Sequence, residues 1–197
     1  AFDTLSWYQE RSECSLRLIQ QIGLLSEAAI IEVGGGASVL VDNLLAEGYS
    51  ALTVLEISSA ALAAAQQRLG ANAATVTWFE ADITTASLPI HAYDVWHDRA
   101  VFHFLTAPEQ RLAYRALLQQ ALKPAGNVII ATFAEDGPLK CSGLPICRYS
   151  PSTLSAELGA GFQLISYELE AHKTPTGAVQ NFMYCHFQQV AEITPAN

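Results

Sequence analysis

A glycine turn between a buried strand and a helix constrains the fold of this chain most strongly. The apolar strand predicted at 30–34 runs into three consecutive glycines, and residues 37–47 then repeat leucine with helical spacing. A second apolar strand, predicted at 51–56, ends in Glu56. Glycines at such a turn let a ligand approach the backbone at a helix N-terminus, and an acid at the tip of the next strand can accept both hydroxyls of a ribose. The sequence therefore predicts a nucleoside site.

Strand and helix patterns alternate along most of the chain. Besides the elements above, the sequence predicts helices at 12–23, 59–69 and 108–122, and strands at 75–80, 93–97 and 126–133. Such alternation implies parallel strands joined by crossover helices. The later residues differ, with a loop predicted at 135–150, a helix at 151–158, and a hairpin of strands at 162–171 and 179–188. We therefore expect a single α/β domain with a Rossmann-like, doubly wound, seven-stranded sheet, mostly parallel with a C-terminal antiparallel hairpin.

Composition excludes several classes of function. Apolar residues make up 51% of the 197 residues and charged residues 15%, which suits a sheet covered on both faces. The net charge is −9 with no basic cluster, so a nucleic-acid partner is not expected. Four cysteines without a C-x-x-C pair indicate neither a disulfide scaffold nor a metal site.

No targeting or anchoring signal is recognised in the sequence. No apolar run reaches membrane-spanning length and no signal peptide opens the chain, although residues 1–4 read like the interior of a longer sequence. We therefore expect a cytoplasmic protein in a reducing compartment, with no membrane partner. We expect it to be a monomer or a weak dimer.

Glu32 decides which nucleoside cofactor the turn prefers. A dinucleotide site would carry G-x-G-x-x-G, and here Gly34 and Gly36 fit the first two positions while Val39 occupies the third. Glu32 lies two residues before the first glycine, where a pyrophosphate would face an uncompensated carboxylate. At ~4 Å and an effective dielectric near 20, that repulsion is roughly 4 kcal/mol per charge pair. S-adenosylmethionine brings a sulfonium and an ammonium and no phosphate, so the acid favours it.

Several motifs in this order resemble those of class I S-adenosylmethionine-dependent methyltransferases. They are residues 32–36, Glu56, residues 80–83 and residues 94–98. Longer strings at 6–9, 34–42, 97–105 and 140–145 resemble the citrate-synthase-lysine and elongation-factor-lysine methyltransferases and their bacterial relatives. The glycine turn departs from the commoner D-x-G-x-G-x-G form, because Ala37 and Ser38 stand where a further small residue or glycine is usual.

The resemblance implies a cofactor site built from residues at the strand ends. Its predicted residues are Glu32, Gly34, Gly35, Gly36, Ser38, Glu56, Ile57, Ala81, Asp82, Ile83, Asp98 and Arg99, with Trp7 and Tyr8 as an N-terminal lid. Glu32 is expected near the methionine ammonium and Glu56 at the ribose hydroxyls. Asp82 is expected at the adenine amino group, between Ile57 and Ile83.

Some of these assignments have structural alternatives. Glu56 could be an exposed acid at a strand end, and Asp82 could be a turn residue only. Trp7 and Tyr8 could anchor the first helix rather than close over a ligand. These alternatives remain open at the level of the sequence.

The residues that follow the fourth predicted strand are the candidates for chemistry. Asp98 and His103 are the predicted catalytic residues: Asp98 could orient an amine, and His103 could accept a proton. A histidine between two phenylalanines is more often a packed side chain, which is the alternative for His103. The predicted acceptor residues are Phe102 and, in a loop at 136–149 that could also be a surface loop without chemistry, Lys140, Cys141, Arg148 and Tyr149.

The predicted reaction is methyl transfer from S-adenosylmethionine to a nucleophile, first of all a protein lysine nitrogen. The alternatives are a small-molecule thiol, carboxylate or amine and, more remotely, a nicotinamide-dependent oxidoreductase or a nucleoside-binding module without catalysis. A narrow aromatic pocket would favour a small molecule, and a wide acidic groove would favour a basic peptide. Within the domain we expect a lid and helix at 1–24, a cofactor-binding part at 25–134, and a substrate loop and hairpin at 135–197.

Overall fold

The computed structural model describes residues 6–190. Its helices are α1 (Glu13–Ile22), α2 (Leu40–Ala46), α3 (Ser59–Leu69), α4 (Pro108–Ala121) and α5 (Pro151–Leu158). Its strands are β1 (Ala29–Val33), β2 (Ala51–Glu56), β3 (Val76–Glu80), β4 (Tyr93–Arg99), β5 (Leu122–Phe133), β6 (Lys140–Cys141), β7 (Leu144–Pro145), β8 (Phe162–Lys173) and β9 (Val179–Gln189). The parts of the predicted terminal segments at 1–5 and 191–197 lie outside the described residues.

Seven strands form one sheet in the order β3-β2-β1-β4-β5-β9-β8. The first five are parallel, and β9 enters antiparallel between β5 and β8. The chain leaves β1 toward β2 on one side and returns through β4 on the other, so the strand order reverses beside β1 and opens a crevice there. This is the predicted Rossmann-like sheet with its C-terminal antiparallel hairpin, and the prediction is confirmed.

Both faces of the sheet carry apolar cores, because side chains alternate along each strand. On β4, Val95 belongs to the core that packs against α1 and α2, while Trp96 belongs to the core under α4 and α5. The same alternation places His97 and Arg99 on the α1 face and Asp98 on the α4 face. The direction of each side chain on this strand therefore decides which of them can reach a ligand.

Local signals explain several helix ends. Helix α1 stops at Gly23, which adopts the left-handed conformation at φ 75° and satisfies a carbonyl of the last turn. Helix α5 starts with Pro151 after Ser150, whose hydroxyl accepts from the amide of Thr153. Gly70 ends α3 as predicted, but a 3-10 helix at Gly70–Thr75 follows before β3.

Two element boundaries near the glycine turn differ from the sequence prediction. The helix predicted at 37–47 begins only at Leu40, because the chain from Gly35 makes a further turn in which the Ser38 amide donates to the Gly35 carbonyl. The strand predicted at 93–97 continues to Arg99, because Asp98 and Arg99 extend the ladder with β5. Asp98 and Arg99 were predicted to follow this strand, and that placement is wrong.

The sequence prediction also missed strand residues that lie next to a proline and a glycine. Helix α4 ends at Ala121 and β5 starts at once, so Lys123 and Pro124 lie in the strand rather than in a connection before residue 126. Lys123 pairs with Asp94 at 2.6 Å, and Ala125 takes up the irregularity at φ 61°. The loop predicted at 135–150 contains the two short strands β6 and β7, which pair as a hairpin.

Candidate active site

One cavity of about 640 Å³ opens at the carboxyl ends of β1, β2 and β4. Its floor is the glycine turn after β1, and its sides come from the ends of β2, β3 and β4. The segment 7–9 and the hairpin of β6 and β7 complete the walls. The cavity thus occupies the crevice at the reversal of strand order, which is where open α/β sheets bind ligands.

The glycines of the turn are required by close packing. Gly34 has φ 74°, and a Cβ on it would overlap the side chain of Val101. A Cβ on Gly36 would lie 2.5 Å from Cγ of Glu56 and 2.8 Å from Cβ of Ala61. Any side chain at these positions would push the turn away from its neighbours. Gly34 lines the cavity, whereas the predicted residues Gly35 and Gly36 are buried and do not line it.

Glu32 lies under this turn and is buried, although it lines the cavity. Its Oε2 atom has no hydrogen-bond partner among the described residues. Burial is the main cause that raises the pKa of its carboxyl to about 8, and the Ser38 hydroxyl opposes that shift. An unpartnered buried carboxyl oxygen is costly, and a cationic group in the cavity would relieve that cost.

His97 is the neighbour of Glu32 across the strand pair and also lines the cavity. Its Nε2 lies 2.9 Å from the hydroxyl of Ser15 on α1, while its Nδ1 is buried and without a partner in the described part of the chain. Burial first, and the charge of Arg99 second, lower the pKa of His97 to about 3. The imidazole is therefore neutral at physiological pH.

Arg99 completes a row of three polar side chains on this face of the sheet. Its Nε donates to the Tyr184 hydroxyl at 2.8 Å, its Nη1 donates to the Trp7 carbonyl at 2.9 Å, and its guanidinium lies 4.3 Å from the centre of the Phe182 ring. Nη2 makes no hydrogen bond to any of the described residues and lies 3.8 Å from a carboxyl oxygen of Glu170. Glu32, His97 and Arg99 all line the cavity. Each has one buried polar atom without a hydrogen-bond partner among the described residues.

The opposite end of the cavity carries the other two predicted acids. Glu56 accepts from the Ser58 amide at 2.9 Å, and Asp82 accepts from both the amide and the hydroxyl of Thr84 at 2.8 and 2.7 Å. Ile57 is exposed and Ile83 is buried, and both line the cavity beside these acids. The structure therefore brings together the four residues that were predicted around the adenosine.

The N-terminal segment crosses one wall of the cavity and is tied to the sheet edge. Trp7 and Tyr8 both line the cavity, and the Trp7 carbonyl is held by Arg99. The Ser6 carbonyl accepts from Nε2 of His172 at 2.8 Å, and Gln9 donates to Glu170 at 2.9 Å. Strand β8 therefore anchors the segment in front of the site.

Comparison with known families identifies this arrangement. A family model described as a methyltransferase domain matches residues 30–126, which run from β1 through the start of β5. The chain is a class I S-adenosylmethionine-dependent methyltransferase. Its cofactor is S-adenosylmethionine, as predicted, and the oxidoreductase and the non-catalytic module are thereby set aside. The comparison with curated proteins gave no match.

Solved structures similar to this methyltransferase share its fold at low identity. A methyltransferase from Methanosarcina mazei superposes with a TM-score of 0.73 at 16% identity, covering 88% of this chain and 98% of that one. The 1,6-didemethyltoxoflavin-N1-methyltransferase of Burkholderia thailandensis gives 0.72 at 17%, with 91% and 78% covered. The glycopeptide N-methyltransferase MtfA gives 0.71 at 17%, with 95% and 93% covered.

The predicted catalytic residues of this methyltransferase do not line its cavity. Asp98 is fully buried on the α4 face of β4, and its carboxyl accepts from the amides of Val101 and Phe102. His103 is buried between the rings of Phe104 and Phe133, and burial lowers its pKa to about 3. Neither ring nitrogen of His103 has a partner among residues 6–190.

The predicted acceptor residues are divided in the same way. Cys141 lines the methyltransferase cavity from the hairpin of β6 and β7, whereas Phe102 and Tyr149 are buried outside it. Lys140 is exposed and does not line the cavity, and neither does Arg148, which donates to the Gly137 carbonyl at 3.0 Å.

Some residues that line the cavity were not among the sequence predictions. They include Gln9, Ser12, Ser15, His97, Phe104, Leu144 and Pro145. His97 could have been found from the sequence, because it lies two residues before Arg99 on a strand and therefore shares its face. Ser12, which precedes α1, and Ser15 within it could not have been found this way, because only the packing of α1 on the sheet brings them there.

Two absences concern the described residues alone. Between residues 6 and 190 the methyltransferase has no helix long and apolar enough to cross a membrane. In the same part of the chain no three histidine, cysteine, aspartate or glutamate side chains are grouped as a metal would need.

Proposed function

We propose that this enzyme transfers the methyl group of S-adenosylmethionine to a small-molecule acceptor that enters beside Trp7, Tyr8 and the hairpin of β6 and β7. The observation that carries the proposal is the division of the cavity into two chemically different parts. The charged lining residues are three acids and Arg99 at the ends of β1 to β4, whereas the wall that Trp7, Tyr8 and the hairpin of β6 and β7 form carries no charged side chain.

The methionine end of the cofactor fits the row of unpartnered atoms. Oε2 of Glu32 can accept from the ammonium, and Nη2 of Arg99 can donate to the carboxylate. Nδ1 of His97 lies on the same face, since His97 is opposite Glu32 on β1 and two residues before Arg99 on β4, and it can bond either group. A zwitterion satisfies all three buried atoms together, which neither a pyrophosphate nor an apolar group would do.

The adenosine end fits the opposite part of the cavity. Glu56 stands at the tip of β2, where an acid can accept from ribose hydroxyls, and the adenine would lie between Ile57 and Ile83. Asp82 uses one carboxyl oxygen in bonds to Thr84. Its other oxygen can accept from the adenine amino group, which keeps the role that the sequence predicted.

The cofactor supplies an electrophilic methyl group on a positively charged sulfur. The chain itself has to align the acceptor with that bond and to keep water away. Trp7 and Tyr8 cover the site from one side and Leu144 and Pro145 from the other. Apart from the residues proposed to hold the cofactor, no histidine or carboxylate lines the cavity among the described residues, so we expect the acceptor to present a free electron pair by itself.

Charge distribution favours a small molecule over a lysine side chain. The acids that line the cavity among the described residues are Glu32, Glu56 and Asp82, and all three belong to the proposed cofactor positions. A lysine ammonium would find no carboxylate in the acceptor part. The fold accommodates small acceptors, since the Burkholderia neighbour was crystallised with 1,6-didemethyltoxoflavin.

A protein lysine remains the second candidate. It is supported by the strings at 97–105 and 140–145, which resemble the lysine methyltransferases. The first string covers the end of β4 and the loop after it, and the second covers the hairpin of β6 and β7; both contribute residues to the cavity wall. The two candidates share every cofactor residue, so only the acceptor distinguishes them.

Methyl-labelled S-adenosylmethionine separates the two candidates. The enzyme is incubated with a cell extract, and the label is sorted into protein and small-molecule fractions. We expect the label in the small-molecule fraction. A label found only in protein would contradict the small-molecule acceptor and support a protein lysine instead. No enzyme-dependent label in either fraction, under conditions where the cofactor binds, would contradict both acceptors.

Glu56→Gln tests the cofactor position independently of the acceptor. We expect it to weaken binding of S-adenosylhomocysteine by about 1–3 kcal/mol, the typical loss for a hydrogen bond to a charged group. Glu80→Gln is the matched control, because Glu80 is the register neighbour of Glu56 and is exposed outside the cavity. Equal calorimetric affinities for the two variants would mean that Glu56 does not bind the cofactor.

A further inference from the structure

We propose that Tyr114 is a positioning residue for cofactor binding. Its hydroxyl holds the carboxyl of Asp98, and this carboxyl in turn holds the loop after β4 against the glycine turn. The inference rests on the proposed cofactor position and extends it to α4, which contributes Tyr114 from outside the cavity. It also gives Asp98 a role other than the predicted catalytic one.

A chain of hydrogen bonds links the helix to the loop. Nε1 of Trp96 donates to the Tyr114 hydroxyl at 2.8 Å, and that hydroxyl donates to Oδ2 of Asp98 at 2.7 Å. The amides of Val101 and Phe102 donate to the same carboxyl at 3.0 and 3.1 Å. Since Trp96 occupies one lone pair of the Tyr114 oxygen, the phenol proton is directed at Asp98.

The carboxyl of Asp98 depends on these donors. Asp98, Tyr114 and Trp96 are all fully buried, and no ion pair reaches Asp98 within residues 6–190. Burial raises the pKa of Asp98 to about 6, and the Tyr114 hydroxyl is the largest of the contributions that lower it. Without the hydroxyl, the carboxyl would be more easily protonated and would accept the loop amides less strongly.

The loop that Asp98 holds packs against the glycine turn. Ala100 adopts a left-handed conformation at φ 67°, which a residue with a side chain rarely occupies without support. The side chain of Val101 fills the space that a Cβ of Gly34 would need. Arg99, Ala100 and Val101 all line the cavity, so a shift of this loop changes the wall beside the methionine end.

Binding of S-adenosylhomocysteine without any acceptor tests this role. We expect Tyr114→Phe to raise the dissociation constant about tenfold, the lower limit for losing a hydrogen bond to a charged group. Tyr149→Phe is the matched control, because Tyr149 is buried on another side of Phe102 and its hydroxyl has no partner among the described residues. We expect the control to bind as the wild type does.

Hydrogen exchange of the ligand-free protein gives a second readout. In Tyr114→Phe the amides of Val101 and Phe102 should exchange faster, while those of β5 should keep their wild-type rates. Asp98→Asn covers the case in which the first variant unfolds, since the amide oxygen can still accept from the loop, and we expect it to bind more tightly than Asp98→Ala.

Each outcome decides between the proposals. Wild-type affinity of Tyr114→Phe together with unchanged exchange in the loop would overturn the positioning role. Wild-type affinity of both Asp98 variants would overturn it as well. If the wild-type protein itself did not bind S-adenosylhomocysteine, the failure would lie with the proposed cofactor position instead, and the exchange rates would still test the clamp.

Discussion

Glu32 carries a carboxyl group that the fold buries before any ligand binds. Its pKa is raised to about 8, so at neutral pH the carboxyl is mostly protonated in the free protein. An ammonium beside it stabilises the charged form and lowers that pKa again. Binding of the cofactor should therefore release a proton from this one residue.

The first prediction follows from this coupling. S-adenosylhomocysteine should bind more tightly as the pH rises from about 6 to 8, with release of about one proton. Calorimetry in buffers of different ionisation enthalpy measures the proton count directly. Glu32→Gln should bind weakly and without this pH dependence. A ligand that lacks the amino group, 5′-methylthioadenosine, is the control and should show no such trend in the wild type.

At the scale of single elements, β4 shows how far the sequence leads. The presence of β4, the glycine turn after β1 and the acid at the end of β2 were all predictable from the hydrophobic pattern and the glycine spacing. The end of β4 was not, because Asp98 and Arg99 are polar residues whose place in the strand depends on pairing with β5. Once the strand is known to reach Arg99, alternation alone separates Arg99 at the cavity from Asp98 on the opposite face.

Proline and glycine misled the prediction for similar reasons. Pro124 and Gly126 are typical of a connection, yet they lie in β5, where the ladder with β4 is interrupted by a shift between Tyr93 and Val95. The short hairpin of β6 and β7 carries too few residues for a periodic signal. Both features depend on tertiary contacts that a local pattern does not contain.

The N-terminal segment is the element whose anchoring can be tested most simply. Gln9→Ala removes the hydrogen bond to Glu170 on β8 and should loosen residues 6–12. We expect S-adenosylhomocysteine to dissociate several-fold faster, in line with about 0.5–1.5 kcal/mol for a single hydrogen bond. Stopped-flow displacement measures that rate.

Gln20→Ala is the control for this prediction. Gln20 also donates a hydrogen bond to a glutamate, Glu47, but on the exposed side of α1 away from the cavity. Its dissociation rate should equal that of the wild type. Equal rates for the two variants would mean that the segment does not close over the ligand.

For the molecule as a whole, two buried histidines set the response to acid. The pKa values of His97 and His103 are both lowered to about 3, mainly by burial, from an ordinary value of 6.5. The folded state therefore binds fewer protons than the unfolded state below pH 6.5. Stability is fully present above that pH and is lost as the pH falls toward 3.

His103→Phe should reduce this acid sensitivity. The ring of His103 already packs against Phe104 and Phe133, and neither nitrogen has a partner among the described residues, so the substitution removes no observed bond. In urea unfolding between pH 7 and 4, the slope of the unfolding free energy against pH should fall by about one proton. A wild-type slope for His103→Phe would contradict the assignment.

The contact between Gly34 and Val101 has an evolutionary consequence. The two residues come from different crossover units, but they share one volume, and the left-handed backbone of Gly34 already restricts what can replace it. Substitutions at the two positions are therefore not independent. Among homologues with this loop, we expect position 34 to stay glycine, and position 101 to vary only among side chains no larger than valine.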